Sequence, residues 1–309
     1  MNSNIVKIVE NIEKVIVGKR DVIINVIAAM LCEGHVLIED VPGVGKTQLV
    51  SALAKSVDGS FNRIQLTPDI MPSDIVGFSM INKETGELEY RSGAAMCNFL
   101  LADEINRASP KAQSSLLEVM EEYQISLDGK TFILPKPFMT LATQNPVETY
   151  GTYHLPEAQM DRFMIKISIG YPDRSDELEI LARAEGGATA AKLESVCSVE
   201  EITALQKEVN EVRVSDEVRE YILVLVAATR NNEFLKLGAS PRGSIALLRM
   251  SKAIAFCEGR DFVTPDDVKR IITSVLAHRV ILSPKGKSKF ATQEEAIAHI
   301  ASFVKVPIE

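Results

Sequence analysis

Residues 39–47 read Glu-Asp-Val-Pro-Gly-Val-Gly-Lys-Thr and follow directly on a short apolar run, His35–Glu39. Glycines let the backbone bend until successive N–H groups face one point, as a phosphate requires. Lys46 adds a compact positive charge for the β and γ phosphates, and Thr47 offers a hydroxyl to Mg²⁺. A strand, a tight loop and a helix (expected over Gln48–Val57) must therefore follow one another. The ligand class this implies is a nucleoside triphosphate.

The general pattern G-x-x-x-x-G-K-[ST] has a glycine where this chain has Asp40. Asp tolerates a left-handed backbone better than most residues. The turn can therefore survive the replacement.

Around the loop, strand-like and helix-like segments alternate, which argues for a parallel α/β sheet. Strands are expected at His35–Glu39, Phe61–Leu66, Asn98–Ala102, Phe138–Thr143 and Phe163–Ile169. Several are nearly continuous apolar runs, as befits strands covered on both faces. Ser109-Pro110 opens a helix with Leu116, Leu117 and Met120 as its apolar stripe. Two hairpins interrupt this core, one around Ser79–Arg91 and one at Gln124–Leu134 with the turn Asp128-Gly129.

After Ile169 the pattern changes. Gly170-Tyr171-Pro172-Asp173 ends the sheet, Gly186-Gly187 loosens the chain, and from Val199 the periodicity is helical throughout. Ser215 caps a stripe of Val218, Tyr221, Ile222 and Leu225. Thr264-Pro265 starts another with Val268, Ile271, Ile272 and Val275. Thr292-Gln293-Glu294-Glu295 reads as a capping box before Ile297, Ile300 and Phe303.

Composition narrows the partners. The 309 residues carry a net charge of −8, which disfavours a phosphate backbone as ligand and so makes nucleic acid an unlikely partner. No apolar run approaches the roughly 18 residues of a membrane span, and Met1–Lys19 lacks a signal-peptide layout. The four cysteines show no metal-ligand spacing, and Cys32 and Cys97 sit in apolar contexts as buried thiols. A reducing, cytoplasmic setting is expected.

The chemistry gathers at strand ends. Asn98–Ala102 runs into Asp103-Glu104, two carboxylates at the ligand edge of a parallel sheet. Adjacent residues of an extended chain face different ways. Asp103 can then hold the Mg²⁺ shell while Glu104 polarises the attacking water. The next strand ends in Gln144-Asn145-Pro146. Asn145 could orient a water, but Asn before Pro is also a common turn former, and the residues alone leave both roles open. Arg162 precedes the last strand, and Arg242 opens a helix. A cation in a helix's first turn costs about 0.3–1 kcal/mol against the dipole, which a shared anion would offset. Each could equally be a surface arginine.

Taken together, Glu39–Thr47, Leu101–Ala108, Ala142–Pro146, Leu155–Phe163 and Ser240–Arg242 resemble the AAA+ ATPases, and more narrowly the MoxR family, over about Ile12 to Pro284. The resemblance implies an α/β P-loop AAA+ domain with a five-stranded parallel sheet, followed by a small all-helical lid. The implied boundaries are 1–172 for the AAA+ domain (helix-2 insert about 70–95, pre-sensor hairpin about 124–136), 173–198 for a linker and 199–309 for the lid. It assigns nucleotide binding to Val17, Gly18, Pro42, Gly43, Val44, Gly45, Lys46, Thr47, Gln48 and Asp103, with Thr47 and Asp103 on Mg²⁺. Glu104 is the implied catalytic base and Asn145 the sensor that positions water. Arg162 resembles an arginine finger reaching a neighbouring subunit, and Arg242 a second sensor reporting γ-phosphate to the lid. Acidic residues occur at the Asp40 position in MoxR-like loops.

The implied function is ATP hydrolysis in a homo-oligomer, a hexameric ring, acting as a chaperone-like activator of partner complexes. A von Willebrand factor A-type protein is an implied client in trans, sometimes with metal cofactor insertion. Two other readings stand beside it: a slow nucleotide-gated binding scaffold, and a nucleic-acid-acting motor.

Overall fold

The computed structural model describes residues 2–145, 153, 155–185 and 190–307. The expectations at Pro146 and at Gly186-Gly187 lie outside the described residues. In chain order the elements begin with α1 (Ser3–Glu13), α2 (Arg20–Leu31), β1 (Val36–Glu39), α3 (Lys46–Ser56) and β2 (Phe61–Gln65). Next come α4 (Pro72–Val76), β3 (Gly77–Ile81), β4 (Leu88–Ser92), β5 (Phe99–Asp103) and α5 (Pro110–Glu122). Then follow β6 (Gln124–Leu127), β7 (Lys130–Ile133), β8 (Met139–Gln144), α6 (Glu157–Met160), β9 (Ile165–Ile167) and α7 (Arg174–Glu185). The remainder comprises α8 (Val199–Glu211), α9 (Asp216–Arg230), β10 (Leu235–Leu237), α10 (Pro241–Cys257), α11 (Pro265–Leu276), β11 (Ile281–Leu282), α12 (Pro284–Lys289) and α13 (Gln293–Ser302).

Five strands form one parallel sheet in the order β2-β5-β8-β1-β9. Alternation splits the core in two. Val36, Ile38, Phe99 and Leu101 join the cluster built with α1, α2 and α3. Leu37, Leu100 and Ala102 face the other way, onto Leu116 and Leu117 of α5. Both faces are thus dry, which is why these strands read as unbroken apolar runs.

Local chemistry shapes the connections. Ser109 caps α5 by accepting the Ala112 N–H, with Pro110 at the first helical position. Asp128 and Gly129 both have positive φ (49° and 74°), the requirement of a two-residue hairpin turn. The two hairpins lean on each other: Tyr90 of β4 stacks on Phe132 of β7 at 4.0 Å between ring centroids.

The C-terminal part, α8 to α13, is a helical lid docked on the sheet domain. Gln206 of α8 donates to the Met30 carbonyl (2.8 Å), and Lys166 of β9 pairs with Glu294 of α13 (2.8 Å) and Glu39 of β1 (2.7 Å). The lid is helical as expected, with one short antiparallel ribbon of β10 and β11 beside its helices. Three details differ from expectation. The segment expected as a linker contains α7, a 12-residue helix. The expected capping box at Thr292 is only half made: Thr292 accepts the Glu295 N–H, but the Glu295 carboxylate turns back to the Ala291 N–H. Phe303 follows that helix exposed, outside its apolar stripe.

Candidate nucleotide site

The loop after β1 opens onto a cavity of about 340 Å³ at the C-terminal edge of the sheet. Gly43 and Gly45 bend it with φ of 87° and 92°, and no atom lies within 4 Å of where a Gly43 Cβ would stand. Helix α3 begins at Lys46 with no side-chain cap, so its first N–H groups are free to meet an anion. The Lys46 ammonium rests on the carbonyls of Asp40 (3.0 Å) and Val41 (3.3 Å). Of the other expected residues, Pro42, Thr47, Gln48, Asp103, Glu104 and Asn145 surround the same cavity.

The turn survives without drawing on that tolerance, since Asp40 is absent from the residues with positive φ. It is buried, and its carboxylate accepts the backbone N–H groups of Ile169 (2.6 Å) and Gly170 (2.8 Å). The side chain thus ties the start of the loop to the end of the edge strand, a task no glycine performs.

The two carboxylates have separate surroundings. Asp103 is 7% exposed, receives the Thr143 hydroxyl (3.1 Å) and pairs with Arg63 of β2 (2.7 Å). Glu104 sits at φ 58°, ψ 51°, a strained conformation for a non-glycine residue. That turn aims its carboxylate toward Arg107 (3.0 Å) and Gln65 (3.5 Å) while its N–H is held by Thr143 (2.9 Å). Arg63, Gln65 and Thr143 escaped the sequence reading. The polar alternation Arg63-x-Gln65 was a usable signal, but which strand lies beside β2 is set only by the sheet order.

For a divalent cation the cavity offers hard oxygen donors, the Thr47 hydroxyl and the Asp103 carboxylate, which suit Mg²⁺ with phosphates and water completing its shell. Among the described residues no group of three or more His, Cys, Asp or Glu could hold a metal by itself. The donor set therefore fits an ion that arrives with a phosphate.

A second, more apolar cavity of about 500 Å³ adjoins the first and shares Pro42, Gly43, Gly45 and Gln48 with it. Val17 and Val44 line it, and Ile180 and Leu181 of α7 close its side. Gly18 has φ 69°, and a Cβ there would stand 1.8 Å from Asp176 of α7. Helix α7, inside the segment expected as a linker, is thus one wall of this second cavity.

Arg162 and Arg242 are elsewhere. Both line a third cavity with Gly34 and His35, at the N-terminal edge of the sheet. Even the four residues of β1 separate the edges by roughly 13 Å. Arg242, expected to report γ-phosphate to the lid, does not reach the phosphate loop of its own chain. Instead it and Arg162 share one carboxylate, Glu121 at the end of α5, at 2.5 and 2.9 Å. Asp161 beside them is engaged by Arg279 (2.8 Å) and by the hydroxyl of Ser240 (2.8 Å), the N-cap of α10.

Comparisons with known proteins agree with this geometry. Residues 35–165 match the family described as "ATPase family associated with various cellular activities (AAA)", and residues 227–300 match an AAA lid domain. The chain is 40% identical to Chaperone MoxR1 of Mycobacterium tuberculosis, over 96% of this chain and 80% of that one. It is 50% identical to the Bacillus subtilis protein YeaC, over 98% of this chain and 95% of that one. A crystal structure from Cytophaga hutchinsonii superposes with a TM-score of 0.91 at 38% identity, covering 99% of this chain and 95% of that one. The paired nucleotide cavities, the sheet order and these likenesses converge: the chain belongs to the MoxR family of AAA+ ATPases.

Proposed function

We propose that this protein binds ATP with Mg²⁺ and hydrolyses it between subunits of a ring, a hexamer, to remodel or activate a partner protein complex in the cytoplasm. The observation that carries this reading is the placement of its charges. Lys46, Asp103 and Glu104 lie at one edge of the sheet and Arg162 with Arg242 at the other. A site that needs both sets is completed only by a second copy of the chain.

Lys46 and the uncapped N–H groups of α3 receive the phosphates, Lys46 leaving the carbonyls it now contacts. Thr47 and Asp103 would hold Mg²⁺, which when bound would offset phosphate charge. Glu104, held by its turn, takes the proton of the attacking water, and Asn145 orients that water. Arg162 and Arg242 of the neighbour stabilise the charge that develops. A finger of this kind is worth about 10³–10⁵ in turnover in other nucleotide hydrolases. The hairpins support a protein client: Phe78, Met80, Ile81, Leu88 and Ile133 are exposed apolar side chains on them. A von Willebrand factor A-type domain protein is one such client.

Mixing two inactive variants tests the shared site. Glu104→Gln and Arg162→Ala each bind ATP and lose most turnover alone. Mixed, they form some interfaces in which both halves are intact, and part of the activity returns. No return on mixing, with both variants assembled, would reject the shared site.

A further inference from the structure

Arg162 and Arg242 come from segments far apart in the chain, one before β9 and one opening α10, yet they meet on the two oxygens of a single carboxylate. That carboxylate belongs to neither segment. Glu121 closes α5, the helix that follows the strand carrying Asp103 and Glu104. The cavity around it holds four arginines (162, 242, 249 and 279) and three carboxylates, Glu33, Glu121 and Asp161. Asp161 is occupied by Arg279 and Ser240, and Glu33 faces Arg249 at 3.9 Å. Glu121 is thus the anion left to hold the two candidate fingers together.

We propose that Glu121 is a positioning residue: it presets Arg162 and Arg242, side by side, for one terminal phosphate of the neighbouring subunit. This rests on the reading that both arginines act on the neighbour's nucleotide. Two guanidinium groups this close repel one another in the absence of a shared anion. Each also has several rotatable bonds to fix before it can meet a phosphate. Contact with two oxygens of one anionic group sets them at a spacing that two oxygens of a phosphate can take over. The remaining polar groups point the same way. The Arg162 Nε is buried without a hydrogen-bond partner, and so is Oε1 of Gln159, one helical turn earlier. Among the described residues, the Arg162 side chain is held through its outer nitrogen by Glu121.

The test uses the full-length protein, assembled with ATP, and steady-state turnover. Glu121→Ala is expected to lower kcat on the order of 10- to 100-fold, as misplacing a reacting group does, with half-saturating ATP unchanged. Glu121→Gln keeps one acceptor oxygen but offers an amide donor to the second guanidinium, so its kcat falls between the two. In an Arg162→Ala background, Glu121→Ala should cost less than it does in the parent, because only its action through Arg242 is left to lose. An unchanged or increased kcat in Glu121→Ala overturns the proposal, the increase because it would mean that the carboxylate competes with phosphate. Full additive loss in the double variant overturns it as well. Should Glu121→Ala unfold, judged by its melting curve, Glu121→Gln carries the same comparison. Failure of the underlying reading looks different: Glu104→Gln and Arg162→Ala then give no activity on mixing, whatever Glu121 does.

Discussion

The carboxylate of Asp40 accepts the backbone N–H of Ile169 at 2.6 Å, joining the first residue of the phosphate loop to the end of the edge strand. The same oxygen takes the Gly170 N–H at 2.8 Å, and the other oxygen takes the Val41 N–H at 2.9 Å. Asp40→Gly restores the general loop pattern, yet it strands buried donors that the carboxylate satisfied. The expected cost is about 1.5–3 kcal/mol of stability, read from denaturant unfolding. Asp40→Asn, which keeps one acceptor oxygen, should lose less. An Asp40→Gly protein as stable as the parent would show that these bonds carry no net weight.

Arg63 occupies the oxygen of Asp103 that faces it, at 2.7 Å. A cation paired with the carboxylate competes with Mg²⁺ for it. Arg63→Ala should therefore lower the Mg²⁺ concentration needed for half-maximal nucleotide binding by several-fold. Isothermal titration with a nucleotide analogue at varied Mg²⁺ measures this. A raised Mg²⁺ requirement would instead mean that Arg63 helps to bind the phosphates.

His35 gives the fold a defined response to acid. Its Nε2–H donates to the Met120 carbonyl (2.8 Å), and its Nδ1 accepts the Thr140 N–H (3.0 Å), so both nitrogens are committed in the neutral form. Burial pulls its pKa from 6.5 down to about 4, against the pull of the Met120 carbonyl, which favours the proton. The unfolded chain takes up a proton near 6.5 while the folded chain does not. Stability is therefore full above pH 6.5 and falls as the pH drops from there toward 4, by up to about 3 kcal/mol. Melting temperatures measured from pH 7 to pH 5 should fall accordingly. His35→Gln should flatten part of that slope at the expense of stability at pH 7.

The exposed apolar side chains of the hairpins separate client binding from hydrolysis. Ile81 and Ile133 are 64% and 65% exposed and lie outside the nucleotide cavities. A Glu104→Gln protein held in ATP should retain a client through them in a pull-down. Ile81→Asp with Ile133→Asp should abolish that retention, while the same pair of changes in the parent leaves basal ATP turnover intact. Retention unaffected by the charges would place the client elsewhere.

Much of the nucleotide site was legible as text because its parts are local. The loop needs its glycines, Lys46 and Thr47 in one short run. The acidic pair needs only to end an apolar strand. Caps such as Ser109 before α5 and turns such as Asp128-Gly129 are likewise decided by neighbours in sequence. Helix α7 was missed because its sequence is polar, and its apolar residues make sense only beside the second cavity. Arg63 was missed because a strand does not reveal its neighbour. The ribbon of β10 and β11 was missed because its strands are three and two residues long and lie over forty positions apart.

The sequence by itself determined the ligand class, the strand and helix inventory of the sheet domain, and a list of charged candidates. Tertiary structure alone decided how those candidates are divided. Parallel strands send every C-terminal end, with Lys46, Asp103 and Glu104, to one edge of the sheet, and every N-terminal end, with Arg162 ahead of β9, to the other. Residue spacing along the chain carries no record of that separation. Folding also brought Glu121 against two arginines, and Asp40 against the end of a distant strand, because Coulomb attraction and buried donors are satisfied in space.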